Sequence, residues 1–297
     1  MTRPAPDRVL SIFSWACALS LTTALFIIIG FLVLKGYKAL TPELIFGDVR
    51  PMDALLLKRQ VFGGLFPAMA GTFLLILLSM AMALPLGLAS GIYLAEFAPP
   101  GTKRVLSFLF DILSGIPSIV VGLFGFSITI FLHHYFGGRI FPCLLISALS
   151  LAFLVLPYII RTTQIALESL PLSLRLTAPA LGATKARNIF YVLLPSSLSG
   201  IISGLILAMG RCAEDTAVIM LTGAVATAGI PKSVFSGFEA LPFYIYYMAS
   251  EYSGPSELMK AYGAALILLI LCTVLFVFSH GIKHLLRAKT LYRPNLL

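Results

Sequence analysis

The chain is short of charge. Asp, Glu, Lys and Arg make up 11% of its 297 residues, against about 25% in soluble domains. So few charges cannot coat a water-facing surface, which excludes a soluble globular protein. Cysteine patterning is absent too. Cys17, Cys143, Cys212 and Cys272 are scattered through apolar runs without C-x-x-C spacing, and they read as free, small, buried residues. No G-x-x-x-x-G-K-[ST] sequence occurs, so this chain does not cradle ATP phosphates in that way. His133 and His134 have no third ligand at metal-site spacing and read as an interfacial pair, with no metal. The net charge is +9, yet no basic patch interleaved with aromatics is present to bind nucleic acid. No internal repeat or low-complexity tract is visible.

What is present is apolar length. Hydrophobic residues make up 59% of the chain, and its mean hydropathy is +0.99. A helix needs roughly 20 apolar residues to cross a bilayer. Six runs meet or approach that: Phe13–Leu34, Ala68–Ala95, Phe108–Leu132, Pro142–Ile160, Ile201–Val225 and Ala261–Ile282. A lipid-exposed backbone must satisfy its own hydrogen bonds, so each is predicted as a helix. The fold class is an all-α polytopic membrane protein with six transmembrane helices. The first run, preceded by Arg3 and Arg8, is longer than a signal-peptide core and reads as an uncleaved span. Pro85, Pro117 and Pro157 are predicted to kink or break helices.

Six spans put both termini on one side. That side carries Arg3, Arg8, Lys103, Arg104, Arg161, Arg175, Lys185, Arg187, Lys283, Arg287, Lys289 and Arg293. The other loops hold Lys35, Lys38, Arg50, Lys58, Arg59, Arg139 and Lys232. The bias places both termini in the cytoplasm. Glu96 and Asp111, at span ends, read as solvated or capping groups. On the outer side, Glu239–Met248 and Ser250–Pro255 fit either an aromatic interfacial belt or a docking surface for a protein.

Two features stand out from this frame. The first is a basic loop, 169–197. Pro171 suits the first turn of a short helix with Ser169 as N-cap. Gly182 is expected to end that helix with a positive φ. Thr184 is expected to cap a second helix, which Pro195 closes. Ile189, Phe190, Leu193 and Leu194 would share its apolar face. The loop fits a docking bracket or a connector lying on lipid. The second feature is Arg211 with Glu214 and Asp215, ten residues into the fifth run and therefore near the bilayer midplane. Both acids are within reach of Arg211 on one helix face. An intramembrane Arg costs at least about 2.5–3.5 kcal/mol and needs partners. The group is either a lock between helices or an anion site, since a guanidinium matches oxyanions bidentately. Two acids against one Arg leave an excess of negative charge, so one acid is expected to be protonated or paired with another subunit. Thr216, Thr222 and Ser203 are candidate hydroxyl donors beside it.

A resemblance sharpens both. Gly182, Val192, Leu194 and Pro195 fall in register with the EAA loop of ABC importer permeases, whose EAA triplet is replaced here by Leu176-Thr177-Ala178. Ile92–Ala98, Gly115–Gly125 and Gly210–Ala217 resemble phosphate-specific ABC importer permeases. Ala240–Tyr246 is closer to their PstA type than to their PstC type. At the charged site the family's Gly is Glu214 here and its Glu is Asp215.

The resemblance implies an ABC importer type I (MetI-like) permease fold and a subunit that transports inorganic phosphate without being an enzyme. It implies a coupling loop, including Ala178, Gly182, Ala183, Thr184, Lys185, Leu194 and Pro195, that docks an ABC ATPase dimer holding ATP and Mg. It implies a substrate pathway at Arg211, Glu214, Asp215 and Thr216, with a candidate gate at Pro117 and Ser118. The implied partners are a PstC-like permease, a periplasmic or surface phosphate-binding protein and the lipid of a bacterial inner membrane. The layout is 1–62 (tail, first span and first outside loop), 63–289 (permease domain) and 290–297 (C-terminal tail). The rivals are a permease for sulfate or molybdate, an ATP-independent carrier with Arg211–Asp215 as a proton-coupled switch, and a structural scaffold.

Overall fold

The computed structural model describes residues 5–47, 49–55 and 64–291. The 62/63 boundary, Arg3, Lys58, Arg59 and the last residues of the C-terminal tail, including Arg293, lie outside them. Thirteen α-helices follow in order among the described residues. They are α1 Ala5–Gly36, α2 Pro42–Phe46, α3 Pro51–Leu55, α4 Phe66–Glu96, α5 Pro100–Ser114, α6 Ser118–Tyr135 and α7 Leu144–Glu168. Then come α8 Leu172–Ala180, α9 Lys185–Asn188, α10 Leu194–Glu214, α11 Thr216–Thr222, α12 Leu241–Glu251 and α13 Pro255–Leu291. Six of the described helical stretches are long and apolar enough to span a membrane: α1, α4, α6, α7, the run from α9 through α10, and α13.

The six expected spans exist, the first and last as longer helices, and three have limits that change the reading. The third begins at Ser118, not Phe108. Pro117 is extended (φ −58°, ψ 137°) and precedes α6, because a proline has no N–H to give and its ring disfavours helix in the residue before it. Phe108 belongs instead to the amphipathic α5. The fourth runs on to Glu168, so Arg161 is inside a helix and not in a loop. The fifth starts at Lys185, running through α9 into α10, and stops at Glu214. Pro85 and Pro157 lie within α4 and α7, which continue through them.

Helix α7 is the axis. Most of it is buried, and α4 runs parallel to it while α10 runs antiparallel. Lipid is as apolar as Leu, so membrane helices associate by close packing at small residues. Gly87 and Gly91 of α4 sit against Ile159 and Thr163. Gly200 and Gly204 of α10 sit against Ala166 and Thr162. Helix α1 lies outside this bundle and packs on α13, with Phe31 edge-on to Tyr262 at 5.8 Å. Its most apolar stretch has no buried residue.

The basic loop gathers with the ends of α4 and α7 on one face of the bundle. Lys283 of α13 reaches Ser203 of α10 at 2.7 Å, which puts the far end of α13 on that face. Since Gly36 at the end of α1 meets the start of α13, α1 begins there too. The opposite face carries the 223–240 segment and α12. Glu239 anchors it: one carboxylate oxygen accepts from Ala228 N at 3.0 Å and Gly229 N at 2.7 Å. Burial pushes that carboxyl's pKa up despite the two donors. Thr72 of α4 accepts from Leu241 N at 2.8 Å. Lys260, near the start of α13, adds a cation to this face.

Candidate functional site

Arg211 lies one turn before the end of α10. Gly204 meets Thr162, so Arg211, two turns further, comes level with the middle of the 25-residue α7, about 18 Å from either end at 1.5 Å per residue. Arg211 is thus level with the midpoint of a spanning helix, although its own helix starts earlier than expected.

The two acids are not equivalent. Glu214 accepts from Arg211 Nη1 at 3.0 Å and its side chain is 64% exposed. Asp215 faces Arg211 Nη2 at 3.6 Å and its side chain is 2% exposed. The helix they were expected to share breaks between them. Asp215 is extended (φ −76°, ψ 110°), and its other oxygen accepts from Val218 N at 2.9 Å as the N-cap of α11. The Asp215 carboxylate thus faces both a cation and the positive end of a helix. Arg211 Nε is buried with no acceptor among the described residues. The Arg211 side chain is 35% exposed. A guanidinium open at mid-membrane depth cannot face hydrocarbon; it faces water or another protein chain.

Thr216 opens α11 beside this group. Thr222 does not join it. Its hydroxyl lies 2.7 Å from Val218 O and 2.8 Å from Ser147 Oγ in the buried core. Ser203 is bonded to Ser199 O at 2.9 Å and to Lys283, on the basic-loop side.

At the basic loop, Gly182 has φ +78° and ends the short helix as expected. Ala183 N donates to Ala178 O at 3.0 Å across that turn. Thr184 accepts from Arg187 N at 3.4 Å and caps α9 as expected. Ser169 is no N-cap. It follows the end of α7 and bonds Ala166 O at 2.9 Å, while Pro171 precedes α8. Pro195 does not close the second helix either. A π turn at Ile189–Leu193 carries α9 into α10, and Leu194 N bonds Ile189 O, five residues back. Pro195 lacks an N–H and crowds the carbonyl one turn back; the wider turn accommodates it. Ile189 and Leu193 are buried against Leu167, Ile92 and Ala95. Phe190, expected on the same face, is exposed with Tyr191 and Leu181.

Sequence reading missed the ion pairs that hold this face together. Glu96 is not solvated: Arg175 Nη1 meets its carboxylate at 2.7 Å, and the Glu96 side chain is 9% exposed. Asp111 of α5 is gripped by Arg161 of α7 through Nε at 2.9 Å and Nη2 at 2.6 Å. Lys103 of α5 meets Glu168 at 2.7 Å. These pairs fasten α5 along α7, just before the bend at Pro117 and Ser118. The partners are at least 50 residues apart, so no local pattern announces them. His133 Nδ1 lies 2.6 Å from Ile140 O, and no metal-binding cluster occurs among the described residues.

Comparison with known proteins gives this geometry a family. Residues 83–289 match the model of the binding-protein-dependent transport system inner membrane component. The phosphate transport system permease protein PstA of Yersinia pestis is 42% identical over 161 residues, 54% of this chain and 52% of that one. The chain thus matches about half the length of that relative. PstA 1 of Mycobacterium tuberculosis (strain CDC 1551 / Oshkosh) is 35% identical over 219 residues, 72% of this chain and 69% of that one. Among solved structures, the bacterial alginate ABC transporter in complex with an alginate pentasaccharide-bound periplasmic protein includes a chain with a TM-score of 0.63 at 16% identity, covering 95% of this chain and 97% of that one. The inward-facing MetNI methionine ABC transporter matches with a TM-score of 0.54 at 22% identity, covering 80% and 99%. The fold is that of the ABC importer permeases, and the chain belongs to the family of binding-protein-dependent transport system inner membrane components.

Proposed function

We propose that this chain is the PstA-type permease subunit of an ATP-driven importer for inorganic phosphate. The observation that carries the reading is Arg211, level with the middle of the spanning helix α7 and 35% exposed. An Arg placed there needs a second wall, and a PstC-like permease supplies it. The pathway runs between the two. Phosphate, delivered by a binding protein on the outer face, displaces Glu214 and Asp215 from the guanidinium as it passes. Asp215 then remains satisfied by the α11 cap. Pro117 and Ser118 form the hinge of a gate. The basic loop, with Gly182, Thr184, Lys185 and the exposed Phe190 and Tyr191, docks an ABC ATPase dimer that holds ATP and Mg. The loop and both termini lie in the cytoplasm of a bacterial inner-membrane system.

The test is ATP-driven uptake of radiolabelled phosphate into vesicles containing the whole complex, with sulfate and molybdate as competitors. Competition by either at phosphate-like concentrations would transfer the reading to another oxyanion. Uptake without a copurifying ATPase would favour a secondary carrier.

Four expected results bear on the parts. Glu214→Gly should keep uptake within about twofold, because the exposed acid is not the one capping α11. Asp215→Asn keeps the cap and removes the charge, so it should leave assembly intact and raise ATP hydrolysis per phosphate moved; equal effects of the two changes would contradict this division. Gly182→Val has open space around it, so its cost is conformational, about 1–2 kcal/mol for a left-handed residue. It should reduce ATPase copurification several-fold without loss of membrane insertion. Finally, in a variant lacking the four native cysteines, a cysteine at 253 should react with an impermeant thiol reagent from outside, and one at 185 should not. Labelling at 185 in intact cells would invert the orientation.

A further inference from the structure

We infer that the Glu96–Arg175 ion pair latches the basic loop to α4, so that loop and helix move as one body and Glu96 is a positioning residue for energy coupling. The inference rests on reading the chain as an ATP-driven permease.

Helix α8 buries no side chain of its own. Arg175 supplies its grip on the bundle: Nη1 reaches Glu96 at 2.7 Å, Nη2 donates to Leu167 O at 2.6 Å, and its own carbonyl accepts from Asn188 at 2.8 Å. The second half of the loop converges on the same place. Lys185 donates to the Glu96 carbonyl, and its ammonium stands 4.7 Å from the centre of the Phe97 ring. Both halves of the loop therefore meet the last turn of α4, which has no covalent link to them for some 80 residues.

A push on the loop has two ways into the membrane. One is the backbone, since α9 runs through the π turn into α10. The other must cross to α4 through side chains. The apolar contact of Ile189 and Leu193 with Ile92 and Ala95 adheres but has no preferred direction. The ion pair is charged, directional and largely screened from water, so it fixes geometry. With the latch closed, the push reaches α10 and α4 together, and α4 carries α7 through the contacts at Gly87 and Gly91. Without it, α4 is tied to the loop only through Lys185 and an apolar contact that can slide, and the push falls mainly on α10 and the α7 packed on it.

The test uses the whole complex in proteoliposomes, with ATP hydrolysis and phosphate uptake measured on the same vesicles. Glu96→Gln should assemble and hydrolyse ATP, with phosphate moved per ATP lowered about tenfold. The exchange Glu96→Arg with Arg175→Glu should bring that ratio back to within about threefold of the unmodified complex. A fixed bulk or folding role for Glu96 predicts no such rescue. An unchanged ratio in Glu96→Gln, or a loss that the exchange does not recover, would overturn the latch. A second arm does not depend on either variant folding well. Glu96→Cys with Arg175→Cys, in the cysteine-free background, is joined by a short bifunctional thiol reagent. A body that moves as one should keep or regain its uptake per ATP when joined. Loss of uptake on joining would show that the two must part in each cycle, and the latch would fail. Absence of ATP-driven uptake in the unmodified complex would instead defeat the permease reading, and the latch with it.

Discussion

Arg211→Gln should abolish phosphate uptake, by two orders of magnitude or more, in membranes with unchanged complex content. Glutamine stays polar but ends two bonds short of the guanidinium nitrogens, and it carries no charge and one amide in place of the fork. Arg211→Lys should lose at least about tenfold. An ammonium is a point charge; it cannot engage Glu214 and Asp215 through separate nitrogens, as Nη1 and Nη2 do at 3.0 and 3.6 Å, nor offer an oxyanion two parallel donors. One complication has a clear control. Removing the Arg leaves the buried Asp215 without its counter-charge, which costs about 3–5 kcal/mol where the acid cannot neutralise itself. The double change Arg211→Gln with Asp215→Asn removes that cost, since Asn still caps α11. It should assemble fully and still transport nothing. Normal uptake in either variant would reduce the charged group to a lock between helices.

Gly204→Val should damage the fold severely. A Cβ at 204 would stand 2.0 Å from Thr162 Oγ1 and 2.4 Å from its Cβ, so α10 must move off α7. Overpacking of this kind costs about 3 kcal/mol or more, which corresponds to a fall in Tm of roughly 6–12 °C for a chain of this size. Gly281→Val is the companion, because nothing lies within 4 Å of a Cβ there. It should melt within about 2 °C of the parent. Thr162→Ala should recover part of the loss at 204 but not all, since the Cβ remains. Insertion should survive in every case, measured by resistance to carbonate extraction. If Gly204→Val melts like the parent, the close contact between α7 and α10 is not what holds the pair together.

Six spans were legible because each is a long apolar run, and in lipid such a run has few choices other than helix. Gly182 and Thr184 were legible because their roles are local: a positive φ and a side-chain cap are decided within four residues. Arg211 was legible because charge is rare in an apolar context. The breaks were not. Apolar sequence resumes on the far side of both breaks, at Pro117 and at Glu214-Asp215, so the run from α5 to α6 reads as one span and so does the run through Thr216. The Asp215 cap was in principle readable, since an acid stood directly before Thr216, but the expectation of an unbroken helix hid it. Glu96 and Arg161 were misjudged for another reason. Their partners come from other helices, and which helices meet is settled by glycine contacts that a single sequence does not display.

The π turn at Ile189–Leu193 sets an angle. A π turn is an α-helix with one residue too many, and each residue of a helix turns the chain by about 100°. Everything before the turn is therefore rotated by about that amount relative to everything after it. Asn188 and Ile189 turn towards Arg175 and Leu167, while Arg211 turns to Glu214 and Asp215 and is partly exposed. Take one residue out of 189–193 and the two ends fall out of phase. Either the loop would leave its seat on α4, or the guanidinium would swing towards α7 or the lipid. The surplus residue is the vernier that keeps the driving end and the charged end of one helix aimed at different neighbours.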